Sequence, residues 1–172
     1  MFKSDAKLKK LSEAFSLKNK KIITEAIMML RGEPPFEGAV GLLAALYDRT
    51  QEYDILRAIE DFMNDLKDQS VAKEVIVEIR HGWNPLTTRM LVSSCWQSGL
   101  DYSSFSTEIT DVFLDSDYAT AIECLTVMGE SVHSLGNKKK KELLLLIDSR
   151  SQALDKDMTV LAHELKAILQ TV

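Results

Sequence analysis

Apolar residues recur three and four positions apart along almost the whole chain, the spacing of helices with one buried face. Leu8, Leu11 and Phe15 mark a first helix, capped at Ser4 or Asp5 and running to about Leu17. Asn19 caps a second over 20–31, with Ile23, Ile27 and Leu30 inward. The run Gly32-Glu33-Pro34-Pro35 breaks the pattern. A third helix over 36–48 carries Leu42, Leu43 and Leu46, and a fourth, from Tyr53 to about Lys67, carries Ile55, Ile59, Phe62 and Leu66. Ser70 caps a fifth, to about His81. Asn84-Pro85 opens a sixth, in which the cap precedes a residue whose missing N–H costs nothing at the first helical position, and Gly99 closes it. Its stripe is Leu86, Met90, Leu91 and Ser94. A seventh helix follows Asp101 or Ser103, with Phe105, Ile109, Val112 and Phe113, and Asp117 starts an eighth, to about Met128. Residues 129–137 read as a linker, then helices cover 138–154 and 157–169. No stretch alternates with the two-residue period of a strand, so the expected fold is all-α with ten helices.

The helices are spaced as a repeat. In the odd-numbered helices an apolar pair four apart recurs: Leu11/Phe15, Leu42/Leu46, Val75/Ile79, Phe105/Ile109 and Leu143/Ile147, at steps of 31, 33, 30 and 38 residues. One inward residue in each even-numbered helix, Ile27, Ile59, Leu91, Ile122 and Leu161, gives steps of 32, 32, 31 and 39. Both series lengthen at the last unit, which places one insertion in the 129–137 linker. Ala26-Ile27, Ala58-Ile59 and Ala121-Ile122 share a register, matched by Met90-Leu91. A hairpin of this length cannot bury its own apolar faces, and stacking hairpins in a row buries them between two layers.

The even helices begin with a polar cap (Asp54, Asn84, Asp117), then an arginine (Arg57, Arg89), then an apolar run; Thr120 stands where a third arginine would be. The pattern resembles the HEAT-like, armadillo-type repeat families, whereas the Trp-Leu-Gly-Tyr signature of tetratricopeptide repeats is absent. The resemblance implies one α-solenoid domain of five units, about 4–32, 36–68, 70–99, 102–130 and 137–172. It also implies a concave face formed by the second helix of each unit, where a protein or peptide partner binds. The positions facing away from the inward residues are Arg57, Asp61 and Asn64; Arg89, Ser93 and Trp96; Thr120, Cys124 and Val127. Arg57, Asp61, Arg89, Ser93 and Trp96 are the expected partner-binding residues, because Arg and Trp dominate binding hot spots. The expected function is a non-catalytic interaction scaffold. The alternative carried by the same resemblance is an enzyme, since some HEAT-like proteins remove damaged bases from DNA and others act as cofactor-attachment lyases.

Charge weighs against the DNA branch of that alternative. The chain of 172 residues has 21 Lys+Arg against 26 Asp+Glu, a net −5, and phosphate neutralisation needs a basic face. Only 7 Gly and 3 Pro are present, as long helices require. The N-terminal MFKSDAKLKKLSEAF is charged throughout and lacks the apolar core of a leader, and an apolar run as short as Leu143–Ile147 cannot span a bilayer. With two cysteines, Cys95 and Cys124, no disulfide framework arises, and a reducing cytoplasm is the expected setting.

Little else carries chemistry. His81, His133 and His163 stand far apart, with no His-x-x-x-His or Cys-x-x-Cys spacing, so no metal is expected. No Gly-rich phosphate loop or Gly-x-Ser-x-Gly elbow occurs, and no cofactor is expected. Lys138–Lys141 puts four cations at a helix start, against the helix dipole; it reads as a solvated helix end, with a phosphate or acidic partner as the alternative. Trp83 is expected to fold back over a helix end. The apolar termini, Leu8 and Leu11 or Leu165, Ile168 and Leu169, are candidates for pairing between chains.

Overall fold

A computed structural model of the chain describes residues 2–171, and the side chains of residues 4–171; residues 1 and 172 of the expected first and last stretches lie outside the described residues. Among these there is no strand, and ten α-helices follow one another: α1 Phe2–Ser16, α2 Lys20–Leu30, α3 Ala39–Arg49, α4 Tyr53–Asn64, α5 Ala72–Ile79, α6 Pro85–Gln97, α7 Ser106–Asp115, α8 Tyr118–Ser131, α9 Asn137–Arg150 and α10 Lys156–Gln170. No helix among them is long and apolar enough to cross a membrane.

Side-chain caps at the N-cap residue set four of the starts. Asn19 accepts from the N–H groups of Lys21 and Ile22, Asn84 from Thr87, Asp117 from Thr120 and Asp155 from Met158. Asp68, not Ser70, opens the fifth helical stretch: it accepts from the Ser70 N–H and starts a 3-10 turn, Gln69–Val71, that runs into α5. α3 begins at Ala39 instead of Phe36, because Gly38 at its N-cap has φ +89° and turns the chain sharply. α4 ends at Asn64, yet Leu66 beyond it is still buried.

The 129–137 linker is a correction. α8 continues to Ser131 and a 3-10 turn, Val132–Ser134, follows, so the extra length of the last repeat is mostly helix. Val132 and Leu135 are buried there, which gives the insertion an apolar anchor of its own.

The chain divides into two compact units, residues 1–100 and 101–172. Within the first, α1 packs on α3 and α3 on α5, while α2 packs on α4 and α4 on α6. Odd helices thus form one layer and even helices the other. Within the second, α7 packs on α9 and α8 on α10. Polar links show the stacking direction. Lys20 at the start of α2 pairs with Asp54 at the start of α4; Arg31 just past the end of α2 reaches Asp65 just past the end of α4, at 2.7 Å. The two helices therefore run the same way. In the second unit Lys139 donates to Thr107 at one end of the α7/α9 pair, and Arg150 meets Asp111 and Asp115 at the other.

Between the layers lie the repeated apolar positions. Leu11, Phe15, Leu46, Val75, Ile79, Ile109, Leu143 and Ile147 are buried from the odd helices, and Ile27, Ile59, Leu91 and Leu161 from the even ones. Leu42 and Phe105 are only half-buried. Ile122 does not belong to the series. It is 40% exposed, while Ala121 and Cys124 take the interior. A helix turns about 100° per residue, so choosing Ile122 over Ala121 rotates the whole assigned face. Val127 and Met128 complete that interior face. Leu86 of the α6 stripe is likewise 60% exposed, and Thr87 is buried in its place. Of the residues at the apolar termini, Leu11, Leu165 and Leu169 are buried in the interiors of their own units, and Leu8 and Ile168 are half-buried.

Candidate functional site

The even layer of residues 1–100 is built by the buried stripes of α2, α4 and α6. Because Ile55, Ile59 and Met63 point inward on α4, the opposite face must carry Arg57, Asp61 and Asn64. Arg57 and Asp61 are exposed and lie 4.0 Å apart as an i,i+4 pair. The Arg57 guanidinium also donates to the Tyr53 hydroxyl at 3.4 Å, which raises its pKa, with the Asp61 charge adding to the shift. The Asp61 carbonyl accepts from Arg31 at 2.8 Å, so α2 is tied to the same turn of α4. On α6, Arg89 and Ser93 are half-buried, and Trp96 is 40% exposed. Ser93 Oγ accepts from Gln97 at 2.8 Å.

Arg89 stands near a polar link across the layers. Tyr47 of α3 donates to Glu60 Oε1 of α4 at 2.6 Å. Burial, then that hydrogen bond, pushes the Tyr47 phenol well above its ordinary pKa, and the Arg89 charge partly opposes the shift. The phenol is held as a donor to Glu60.

The expected set thus sits on two adjacent helices of one unit. Its continuation on α8 is overturned. Thr120, Cys124 and Val127 are buried, as the corrected register of that helix demands, and Tyr118 and Ile122 face outward. Cys95 is buried as well, its thiol donating to the Leu91 carbonyl. Among the described residues no group of three His, Cys, Asp or Glu side chains could hold a metal ion.

Several features escaped the pattern. Large apolar side chains remain exposed on the even helices: Ile22, Met28 and Met29 on α2, Tyr53 on α4, and Leu86 with Trp96 on α6. Met29 is 73% exposed. The Met28-Met29 pair stands in the sequence as two apolar residues beyond the Ile23/Ile27 stripe. A second feature lies at the α2–α3 turn. Pro34, Pro35 and Phe36 arch over the ends of α4 and α5 and leave a cavity of about 210 Å³, lined by Val40, Phe62, Leu66 and Val71 among others. Glu74 borders it. Its Oε1 accepts from the N–H groups of Gly38, at 3.1 Å, and Val40, at 2.9 Å. It is the N-terminal cap of α3, supplied from α5 because Gly38 has no side chain. Burial raises the Glu74 pKa, and the backbone donors only partly offset this.

Trp83 folds back onto the end of α5. Its ring stacks on His81 at 4.4 Å, and its N–H donates to Glu78. The lysine run is partly engaged: Lys139 reaches Thr107, and Lys140 donates to the Thr171 carbonyl beyond the end of α10, while Lys138 and Lys141 are exposed.

Comparison of the chain with protein-family models, curated proteins and solved structures returns no match.

Proposed function

We propose that this chain is a non-catalytic interaction module of HEAT-like type, which binds a protein or peptide through the outer face of α2, α4 and α6. One observation carries the reading. Among the described residues of the first unit, six of the eight large apolar side chains left exposed lie on the even helices; Leu17 and Val77 are the other two. A soluble surface has no need to concentrate such groups on one layer, and clustered exposed apolar side chains rimmed by polar ones mark contact surfaces. Arg57, Asp61, Arg89 and Ser93 supply that polar rim, and Trp96 supplies an aromatic anchor. Methionines on α2 suit a surface that adapts to its partner, because the unbranched thioether repacks easily. A scaffold acting in a reducing, cytoplasmic setting fits Cys95 and Cys124, both buried as thiols.

The test is affinity capture from native cell extract with the wild-type chain and an Arg89→Ala/Trp96→Ala variant. Loss of a specific captured protein, with the circular dichroism spectrum unchanged, supports the reading. Equal recovery by both removes this face from the account.

A further inference from the structure

The cavity at the Pro34–Phe36 turn adjoins a second hollow of about 480 Å³ along α5, and the two share Pro35, Phe36, Val71 and Glu74 in their linings. Side by side at these residues, the two hollows make a groove whose lining is mainly apolar. The inner part, about 210 Å³, falls below the roughly 300 Å³ at which drug-sized ligand sites begin. It exceeds the roughly 150 Å³ that accepts a benzene ring. One aromatic or branched aliphatic side chain fits it, and a cofactor does not.

The rim has a sign. Six carboxylates and three cations line the two parts. Arg31 and Lys67 both pair with Asp65, and Glu33 pairs with Lys7. Asp65 thus carries two cations, and Glu37, Asp68, Glu74 and Glu78 face Lys73, so that with Lys7 counted the lining keeps a formal net charge of −2. The fold already satisfies part of this field with a lysine of its own, since Lys7 lies 5.7 Å from the centre of the Phe36 ring while it pairs with Glu33. From the apolar floor and the acidic rim together, we infer that this groove binds a peptide segment that places an aromatic or large aliphatic side chain under the Pro34–Phe36 arch and a lysine or arginine beside it. Apolar anchoring gives the affinity, and the charge complementarity gives the orientation and speeds encounter. The groove's lining includes none of Arg57, Asp61, Arg89, Ser93 and Trp96, although Arg31 in that lining donates to the Asp61 carbonyl.

A phage-displayed library of random twelve-residue peptides, panned on the full chain, tests this directly, because the selection itself supplies the ligand. Enriched sequences are expected to carry Lys or Arg within two positions of an aromatic or large aliphatic residue. A synthetic copy of the best one is then titrated by fluorescence polarisation. Ala39→Trp, which fills the cavity, is expected to weaken binding by at least about tenfold, as loss of an anchor does. Glu37→Lys, on an exposed side chain, is expected to weaken it by about threefold at low salt and by less at high salt. If Ala39→Trp fails to fold, replacing the anchor residue in the peptide by Ser must produce the same loss. Arg89→Ala/Trp96→Ala must leave the affinity unchanged, so failure here is distinguishable from failure of the even-helix face. Acidic or uncharged enriched sequences, no enrichment, binding indifferent to both groove variants, or loss in the Arg89/Trp96 variant would each overturn the inference.

Discussion

Replacing Glu74 tests how the first unit holds its hairpins together. In Glu74→Ala, the N–H groups of Gly38 and Val40 lose their acceptor. Gly38 is half-buried and its N–H can turn to water, at a cost of about 0.5–1 kcal/mol. Val40 is buried, so its N–H is left dry, at about 1–3 kcal/mol. Relief of the buried carboxylate's desolvation offsets part of this, and a net loss of about 2 kcal/mol is expected. For a chain of this size that lowers Tm by about 4–8 °C. Glu74→Gln behaves differently, because the amide keeps an oxygen for the two donors and carries no charge. Burial raises the Glu74 pKa above its ordinary 4.5, which means the fold prefers the neutral form. The folded state then binds more protons than the unfolded one between the ordinary and the raised value. This group's contribution is therefore most favourable below 4.5 and declines as pH rises through the raised value. Glu74→Gln is expected within about 0.5 kcal/mol of wild type at neutral pH, and it should lack that decline. Urea unfolding followed by circular dichroism, for all three proteins from about pH 4 to 8, gives the comparison; the wild-type-minus-Gln difference cancels the other carboxylates. Equal stability of Glu74→Ala and wild type, or a Gln variant as damaged as the Ala variant, would refute the cross-hairpin cap.

Three further outcomes are expected. Ile59→Ala, at a fully buried position between the layers, should cost about 2–5 kcal/mol in urea unfolding. Gly38→Ala should cost about 1–2 kcal/mol, since φ there is +89°; its new Cβ would also sit 2.9 Å from the flexible tip of Leu8, which can move aside. Arg31→Ala should cost less than about 1 kcal/mol, and less still in high salt, because the Arg31–Asp65 pair is exposed on both sides; a double-mutant cycle with Asp65→Ala measures it.

The local chemistry of helix ends is readable directly. Asn19, Asn84 and Asp117 cap the helices that the sequence assigns to them, because a short polar side chain and the first free N–H groups are neighbours in the chain. The inward residues Ile27, Ile59, Leu91 and Leu161 are equally plain, each a buried branched aliphatic on its stripe, although Leu86 on α6 is as large as Leu91 and points out. α8 shows where that rule stops. Its interior is Ala121, Cys124, Val127 and Met128, and a larger neighbour, Ile122, points out. Side-chain size ranks candidates well only when the gap to be filled is wide, and that width belongs to α7 and α10, not to α8. The groove at the α2–α3 turn could not be foreseen for a similar reason. Gly32-Glu33-Pro34-Pro35 announces a turn, but its lining comes from α4 and α5, some thirty residues further on. The Glu74 cap spans a comparable distance in sequence.

Helix content, the order of the elements and their approximate repeat follow from periodicity, because the propensities and apolar stripes that create them act over a few residues. Which faces end up outside, which glycine needs a cap lent from another hairpin, and where a hollow with an acidic rim forms were decided only when the layers packed. Those outcomes depend on distances between segments far apart in the chain, and a linear pattern carries no information about such distances until the apolar faces have met.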